Sequence, residues 1–324
     1  MNRILAAAVS LTTGWVLLTA ESSVHAQTGY PDKPVRLVVG FSAGGPTDLP
    51  ARFIADRLGT ALGQRVIVEN RPGAGGQIAT QDVLAKPRDG HNLLLCTHFE
   101  SINAAVYKNV AYKLSDLAPI SQISRYYYAV ALANEVPAQD LEGFVAFARA
   151  NPGKLNYGTI GRGSAQEVLA LELAKAAGIR LTGIPYKGGA DAVNDLIAGR
   201  VHLYVSPTLN VLPQYKAGRL RVLAVTSAER LAAAPQIPTL TEKGFAFVRF
   251  GWLGLCSGAG TPQPVIALLN RQVGAIVKSP EYRDLIEKAG SVALSSTPDE
   301  LAQILRETYE QTAAIAREFG LQTD

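Results

Sequence analysis

The feature that most constrains the fold is a strand–loop–helix alternation with glycines at the junctions. Residues 35–40 form an almost continuous apolar run, and helical spacing of apolar residues follows from 47 to 62. Further strands are predicted at 64–69 and 92–96, with a short helix at 77–85 between them. Continuous apolar strands separated by amphipathic helices are typical of a parallel sheet with helices on both faces. This opening predicts an α/β fold.

The same alternation restarts in the second half of the chain, after a β-prone stretch at 120–133 that carries three consecutive tyrosines. Strands are predicted at 155–159, 182–186, 201–206 and 220–226, and helices at 164–177, 190–198, 264–277, 280–289 and 299–319. Two α/β units of this size predict two lobes with a ligand cleft between them. We expect the first lobe to contain residues 27–125 plus 248–324, and the second to contain residues 126–247.

The first 26 residues are typical of a secretory signal peptide. A positively charged start precedes an apolar run from Ile4 to Ala20, and Val24 and Ala26 supply the small residues of a cleavage site. An uncleaved anchor helix is the alternative, but Thr12 to Gly14 interrupt the apolar run. No later segment has the roughly 18 apolar residues of a membrane span. We therefore expect an exported chain that is cleaved after Ala26.

Composition excludes several function classes. The chain has 31 basic and 27 acidic residues, few aromatics and no lysine or arginine run, which argues against nucleic acid as a partner. The histidines after residue 26 and the two cysteines show no metal-ligand spacing, and neither a Walker A motif nor an intact dinucleotide fingerprint is present. Neither a metal nor a cofactor is expected. Cys96 and Cys256 either pair in an oxidising compartment or are separate buried small residues, and the second interpretation is favoured.

Four glycine-rich loops follow strands and open helices, at 40–48, 70–76, 158–164 and 186–189. Glycine lets the backbone approach a ligand closely, and the free N–H groups at a helix start attract anions. A single such loop is adequately explained as a short turn. Four together, two from each lobe, predict a cleft for a small molecule that carries a carboxylate. Ser164 is expected first to cap its helix, and its hydroxyl then lies at the helix mouth.

The first loop also matches the nucleophile elbow G-x-S-x-G, with Ser42 as the nucleophile. A secreted serine hydrolase is therefore an alternative from another class. The motif follows the first strand, however, so no upstream oxyanion loop exists. His91, His98 and His202 have no evident triad setting, and we expect the chain not to be an enzyme.

An ordered set of motifs covers almost the whole chain from residue 30 to residue 319. It comprises Tyr30-Pro31 with Lys33-Pro34, Phe41 with Gly44-Gly45 and Asp48, the run 68–76 (VENRPGAGG), the run 151–157 (NPGKLNY), Pro185-Tyr186-Lys187-Gly188 with Asp195-Leu196, the run 223–227 (LAVTS), and Gly260-Thr261-Pro262. The set resembles the substrate-binding receptors of tripartite tricarboxylate transporters, which are the Bug-type periplasmic proteins. The resemblance implies a type II periplasmic binding protein fold whose two α/β lobes close over an organic acid.

The resemblance further implies a periplasmic, monomeric, non-enzymatic receptor that delivers its ligand to a membrane permease. A periplasmic sensor of the same ligand class is an interpretation that the residues leave open. The expected ligand contacts are Phe41, Ala43, Gly44, Gly45, Thr47, Asp48, Gly163, Ser164, Gln166, Tyr186 and Thr208, with the weaker candidates Glu100, Ser101, Tyr126 and Arg162.

Four features depart from the family pattern, and one of them is Arg162, which stands where a small polar residue is common. Residues 97–101 are bulkier and more acidic than usual, and the stretch 126–128 is unusually aromatic. The loop 206–208 also lacks an acidic residue that is common there. These departures suggest an aromatic or amine-bearing carboxylate, with tyrosine stacking on the ligand and Glu100 facing its positive group.

Overall fold

The computed structural model of the chain describes residues 29–44, 47–161, 163–186, 188–288 and 290–322. The predicted signal peptide at 1–26 lies outside the described residues. Among the expected ligand contacts, Gly45 and Arg162 also lie outside them.

Within the described residues the chain forms ten strands and ten α-helices. The strands are β1 (Val35–Val39), β2 (Val66–Asn70), β3 (Asn92–Thr97), β4 (Leu117–Leu132), β5 (Asn156–Thr159), β6 (Thr182–Pro185), β7 (Leu203–Pro207), β8 (Arg221–Val225), β9 (Phe250–Gly258) and β10 (Ser291–Ala293). The helices are α1 (Asp48–Leu62), α2 (Gln77–Leu84), α3 (His98–Val106), α4 (Leu141–Ala150), α5 (Ala165–Ala177), α6 (Gly189–Ile197), α7 (Thr208–Lys216), α8 (Gln263–Val277), α9 (Pro280–Lys288) and α10 (Pro298–Glu318).

The strands form one continuous hydrogen-bonded path in the order β2-β1-β3-β9-β4-β7-β5-β6, and β8 and β10 also pair with β4. Strands β1, β2 and β3 are parallel, as are β5, β6 and β7. Strands β4 and β9 run antiparallel to their neighbours. The α/β class and the parallel opening unit are therefore confirmed.

Strand β4 is shared between the two lobes. Its residues up to Tyr127 pair with β9, and from Tyr128 onward it pairs with β7 and β8. One set of apolar side chains packs around β1, β3, α1 and α8, and another packs around β5, β7, α4 and α5. The partner exchange lies close to the proposed lobe boundary at 125/126, and the boundary itself stays a prediction.

The two cysteines form a disulfide, so the favoured prediction of two separate thiols is wrong. Cys96 lies on β3 and Cys256 on β9, with Cα atoms 5.8 Å apart. In the antiparallel register, Leu94 faces Cys256 and Cys96 faces Gly254, which places the two sulfur atoms diagonally across neighbouring strands. Both residues are fully buried, as expected. The pairing follows from contact between β3 and β9, which are far apart in the sequence.

Local signals place several helix ends correctly. Gly178 and Gly199 have left-handed backbone angles, with φ of 62° and 72°, at the ends of α5 and α6. Thr297 and Glu300 form the predicted reciprocal capping box of α10. Helix α3 was not predicted, although it begins directly after β3 with a second capping box, formed by Thr97 and Glu100. None of the helices in the described part of the chain combines the length and apolar character needed to cross a bilayer.

Candidate functional site

In the first lobe, the loop after β1 is held in place by a buried carboxylate. Asp48 is the first residue of α1, and its Oδ2 accepts hydrogen bonds from the Gly44 N–H at 2.9 Å and from Arg52 Nε at 2.8 Å. Its Oδ1 accepts from Asn70 Nδ2 at 2.9 Å, and that amide also donates to the Phe41 carbonyl. Burial raises the pKa of Asp48, but these hydrogen bonds outweigh it and leave the pKa below its ordinary value. Asp48 therefore positions the loop.

The rest of this loop is presented to the solvent at the start of α1. Ala43 and Gly44 are exposed and Phe41 is half-buried. The Thr47 hydroxyl is buried without a hydrogen-bond partner. Since a helix start carries partial positive charge, this hydroxyl and the start of α1 together are suited to an anion.

A close backbone approach joins this loop to the loop after β2. A Cβ built on Gly40 would lie 2.8 Å from the Gly76 Cα, so only glycine fits at this crossing. The Asn103 side chain in α3 donates a hydrogen bond to the Gly75 carbonyl at 2.9 Å. The carboxyl ends of β1, β2 and β3 thus meet at one edge of the first lobe.

In the second lobe, the loop after β5 is organised by the cap of α5. The Ser164 hydroxyl accepts from the Glu167 N–H and lies 2.9 Å from the Thr159 hydroxyl. The Glu167 carboxylate accepts from the Gly163 N–H, one residue before the position used in a standard capping box. Ser164 caps its helix as predicted.

Beside this cap, three buried polar groups of the second lobe lie together, and within the described residues they have no hydrogen-bond partner outside this cluster. They are Gln166 Oε1 at the start of α5, and the hydroxyls of Tyr204 and Ser206 on the same face of β7. Their residues are at most 5% exposed. Burial raises the pKa of Tyr204 to about 12, although its hydrogen bonds with the Ser206 and Gln166 side chains lower it, so the phenol stays protonated at neutral pH. Unsatisfied buried groups cost roughly 1–3 kcal/mol each, which favours a site where a solute or bridging waters complete them.

The start of α6 borders the same groups. A Cβ built on Gly189 would lie 3.3 Å from the Tyr204 hydroxyl and 3.3 Å from Asn210 Nδ2 in α7. The starts of α5, α6 and α7 and this uncharged polar group therefore converge at the carboxyl ends of the second lobe's strands. This is where a doubly wound sheet places its ligand.

Two expected contacts of the second lobe have intramolecular partners. The Tyr186 hydroxyl donates to Asp195 Oδ2 at 2.9 Å, and the residue is half-buried. The Thr208 hydroxyl is buried and donates to the Gly290 carbonyl at 3.1 Å. Thr208 therefore links α7 to the turn before β10.

The weaker candidates are also used internally. Ser101 donates to the Leu305 carbonyl at 2.8 Å and so joins α3 to α10. The Tyr126 hydroxyl lies 3.3 Å from His98 Nδ1. Glu100 accepts from the Thr97 N–H and hydroxyl and from the Thr80 hydroxyl. The structure thus contradicts the expectation that Glu100 faces a positive group of the ligand, because α3 begins at residue 98 and turns this side chain into the lobe.

Glu100 makes stability depend on pH. Burial raises its pKa from 4.5 to about 7, so the folded chain binds this proton more tightly than the unfolded chain does. Stability from this group is greatest at low pH, falls as pH rises from about 4.5 to 7, and then levels off. We expect Glu100→Gln to remove this fall, which amounts to at most about 3 kcal/mol. Urea unfolding of the parent protein and of Glu100→Gln at several pH values measures this fall in stability.

Comparison with the parent protein separates the contribution of Glu100 to the pH dependence from those of other titrating groups. One such group is His98, because burial lowers its pKa to about 4. Glu300→Gln is the matched control, because Glu300 has the same role in an exposed capping box. Equal pH dependence in the parent and in Glu100→Gln would contradict the assignment.

The two halves of the site touch through Gly163 and Val106. A Cβ on Gly163 would lie 2.6 Å from a Val106 methyl group in α3. Ile102 and Val106, at the far end of α3, pack with the core of the second lobe. This contact sets how closely the loop after β5 approaches the first lobe.

Ser42 has no triad around it in the described residues. His91 lies beside Asp32 and Asp89, His98 contacts Tyr126 and Tyr128, and His202 bonds Asn156. Ser42 is exposed on the loop and none of these histidines is among its partners. Within the described residues, no cluster of three or more histidine, cysteine or acidic side chains could hold a metal.

Sequence reasoning missed Tyr204 and Asn210 and named Ser206 only as part of a loop. The signal was present, because Tyr204 and Ser206 stand two residues apart in an otherwise apolar strand and therefore share a face. A polar pair on one face of a buried strand needs partners.

Comparisons with known proteins agree with this geometry. A family model described as the tripartite tricarboxylate transporter family receptor matches residues 50–321. A Cupriavidus necator protein named UPF0065 protein in gbd 5′ region is 31% identical over 97% of this chain and 96% of its own length. BugT of Bordetella pertussis is 31% identical, covering 90% of each chain.

Solved structures show the same architecture. The periplasmic binding protein BugD is 31% identical with a TM-score of 0.80, covering 91% of this chain and 100% of its own. A Rhodopseudomonas palustris protein solved with adipate is 30% identical with a TM-score of 0.82, covering 90% and 99%. MatC from the same organism, solved with bound malate, is 27% identical with a TM-score of 0.78, covering 88% and 99%.

Proposed function

The chain belongs to the tripartite tricarboxylate transporter receptor family, and we propose that it is an exported, non-enzymatic receptor that captures a small organic carboxylate between its two lobes. The observation that carries the proposal is the buried polar cluster of the second lobe, namely Gln166 Oε1 and the Tyr204 and Ser206 hydroxyls, which has no hydrogen-bond partner outside itself within the described residues. These buried groups lie where helices α5, α6 and α7 start, and the start of α1 supplies donors in the first lobe.

Helix starts and hydroxyls suit a carboxylate because they donate hydrogen bonds without requiring a formal counter-charge. Thr47 and the start of α1 contribute from one lobe, and Ser164 and the Tyr204 and Ser206 hydroxyls contribute from the other. Gln166 Oε1 is an acceptor, so it orients one of these hydroxyls or a bridging water. Structural relatives solved with adipate and malate support this ligand class. The aromatic or amine-bearing ligand suggested by Tyr126 and Glu100 is less well supported, because both side chains are engaged inside the protein.

The proposal includes a cellular route. The signal peptide at 1–26 directs export and is removed, and the mature monomer acts in the periplasm. It presents its ligand to a membrane permease of the tripartite tricarboxylate type. Named periplasmic binding proteins among its structural neighbours support this location.

The direct test is to purify the exported protein and identify co-purified small molecules by native mass spectrometry. A thermal-shift panel of malate, succinate, adipate, citrate and benzoate then ranks the candidates. A ligand at 100 times its Kd stabilises the fold by about 2.7 kcal/mol. Failure of every carboxylate to bind, together with a different class of co-purified molecule, would refute the proposed ligand class.

Removing single hydroxyls from the second lobe should weaken binding of the acid that the panel identifies. We expect Tyr204→Phe and Ser206→Ala each to raise Kd at least about tenfold, since a hydrogen bond to a charged carboxylate contributes roughly 1.5–3 kcal/mol. Isothermal calorimetry measures the change. Tyr282→Phe is the matched control, because its hydroxyl is also buried and unpaired but lies in the first lobe's core. Unchanged affinity in both test variants would show that these hydroxyls do not contact the ligand.

A further inference from the structure

A continuous run of aromatic rings connects the loop after β1 to the strand shared by the lobes. The ring centroids of Phe41 and Phe99 are 5.5 Å apart, and those of Phe99 and His98 are 4.4 Å apart. His98 is 5.7 Å from Tyr126, which is 5.7 Å from Tyr128. Packed rings transmit displacement because protein interiors have few voids. A shift of Phe41 is therefore passed to β4 through contacts already in place.

His98 is the junction of this run. It is 3% exposed, its Nδ1 lies 3.3 Å from the Tyr126 hydroxyl, and its Nε2 lies 3.3 Å from the Tyr128 hydroxyl. Burial lowers its pKa to about 4, so the imidazole is neutral near pH 7 and can offer one donor and one acceptor.

The two tyrosines stand on opposite sides of the partner exchange in β4. Tyr126 pairs with Gly251 of β9 in the first lobe, while Tyr128 pairs with Pro207 of β7 in the second. Gly251 leaves room for the Tyr126 ring, since a Cβ there would lie 2.2 Å from its Cζ. The imidazole of His98 thus contacts β4 both before and after this strand passes from the first lobe to the second.

We propose that His98 is a positioning residue for lobe closure, which couples the ligand loop at Phe41 to the hinge in β4. The inference rests on the proposed function, because it assumes that a solute bound at this loop draws the lobes together. Solute contact at Phe41 shifts Phe99 and His98, and the hydrogen bonds to Tyr126 and Tyr128 carry that shift across the partner exchange. The hinge angle and the loop position then change together.

The test removes the hydrogen bonds of the junction and measures the distance between the lobes. Spin labels at the exposed positions Lys154 and Glu281 report this distance by pulsed EPR without any added acid. We expect Tyr128→Phe and His98→Phe to broaden the distance distribution. Tyr282→Phe, which removes a buried hydroxyl outside the junction, should leave it unchanged. Tyr128→Phe removes one oxygen atom, so it keeps the test valid if His98→Phe does not fold.

A second arm uses Trp252, the sole tryptophan after residue 26, as a reporter on β9. Adipate and malate are the probes. For an acid that binds the parent protein, we expect Tyr128→Phe to raise its Kd about fivefold. The change in Trp252 fluorescence on binding should also become smaller. If neither acid affects the parent protein, the proposal that it binds such acids fails, while the label distances still decide the role of His98. Distance distributions in Tyr128→Phe that match those of Tyr282→Phe would overturn the inference.

Discussion

Reducing the Cys96–Cys256 disulfide should lower the free energy of unfolding by about 5 kcal/mol in the chain-entropy model. The cysteines are 160 residues apart, so the bond closes a loop that contains all of residues 126–247, the proposed second lobe. In the unfolded chain such a long closed loop restricts many conformations, and losing the restriction favours unfolding. Equilibrium unfolding in guanidinium, with and without reductant, measures this difference between the oxidised and reduced forms of the same protein.

The double variant Cys96→Ala/Cys256→Ala controls for effects of the reductant itself. We expect reductant to leave its unfolding curve unchanged while shifting that of the parent protein. The parent should unfold at the same guanidinium concentration in both conditions if the disulfide contributes nothing. That outcome would show that packing of β3 against β9 already supplies the full stability.

The architecture could be predicted largely from periodicity because apolar runs and helix caps are local signals. Runs such as 35–40 require burial on both faces, and glycines such as Gly178 end helices wherever the backbone must turn left-handed. Contact between β3 and β9 could not be predicted, because it depends on a pairing across 160 residues. Helix α3 carried a readable signal in the Thr97-x-x-Glu100 spacing of a capping box.

The candidate site was predictable in its loops and less so in its side chains. Glycine and helix-start patterns predicted that helices begin after the loops at 40–48 and 158–164, and α1 and α5 begin there. Ligand contact by these loops stays a prediction. The direction of a side chain depends on packing, and this is why Glu100, Ser101 and Thr208 were expected at the ligand but bond within the protein. The three tyrosines at 126–128 stood out in the sequence, but the hydrogen bonds of Tyr126 and Tyr128 with His98 depend on where α3 begins.

Substituting Gly163 should reduce ligand affinity at least about tenfold, because two costs add at this residue. Its φ of 74° is left-handed, which costs a side-chain residue roughly 1–2 kcal/mol. A Cβ would also lie 2.6 and 2.8 Å from the two Val106 methyl groups, so the loop after β5 must move away from α3. We expect Gly163→Ala to bind the panel acid more weakly and to widen the Lys154–Glu281 label distance.

Two further variants separate the backbone cost of Gly163→Ala from the steric cost. Gly161→Ala lies in the same loop with a φ of 126°, but its Cβ would have no atom within 4 Å, so it carries only the backbone cost. Val106→Ala added to Gly163→Ala removes the clashing methyl groups and should restore part of the affinity. If Gly163→Ala and Gly161→Ala weaken binding equally, contact between Gly163 and Val106 does not limit closure. A larger loss in Gly163→Ala with partial recovery in the double variant identifies this contact as the point where the closing lobes meet.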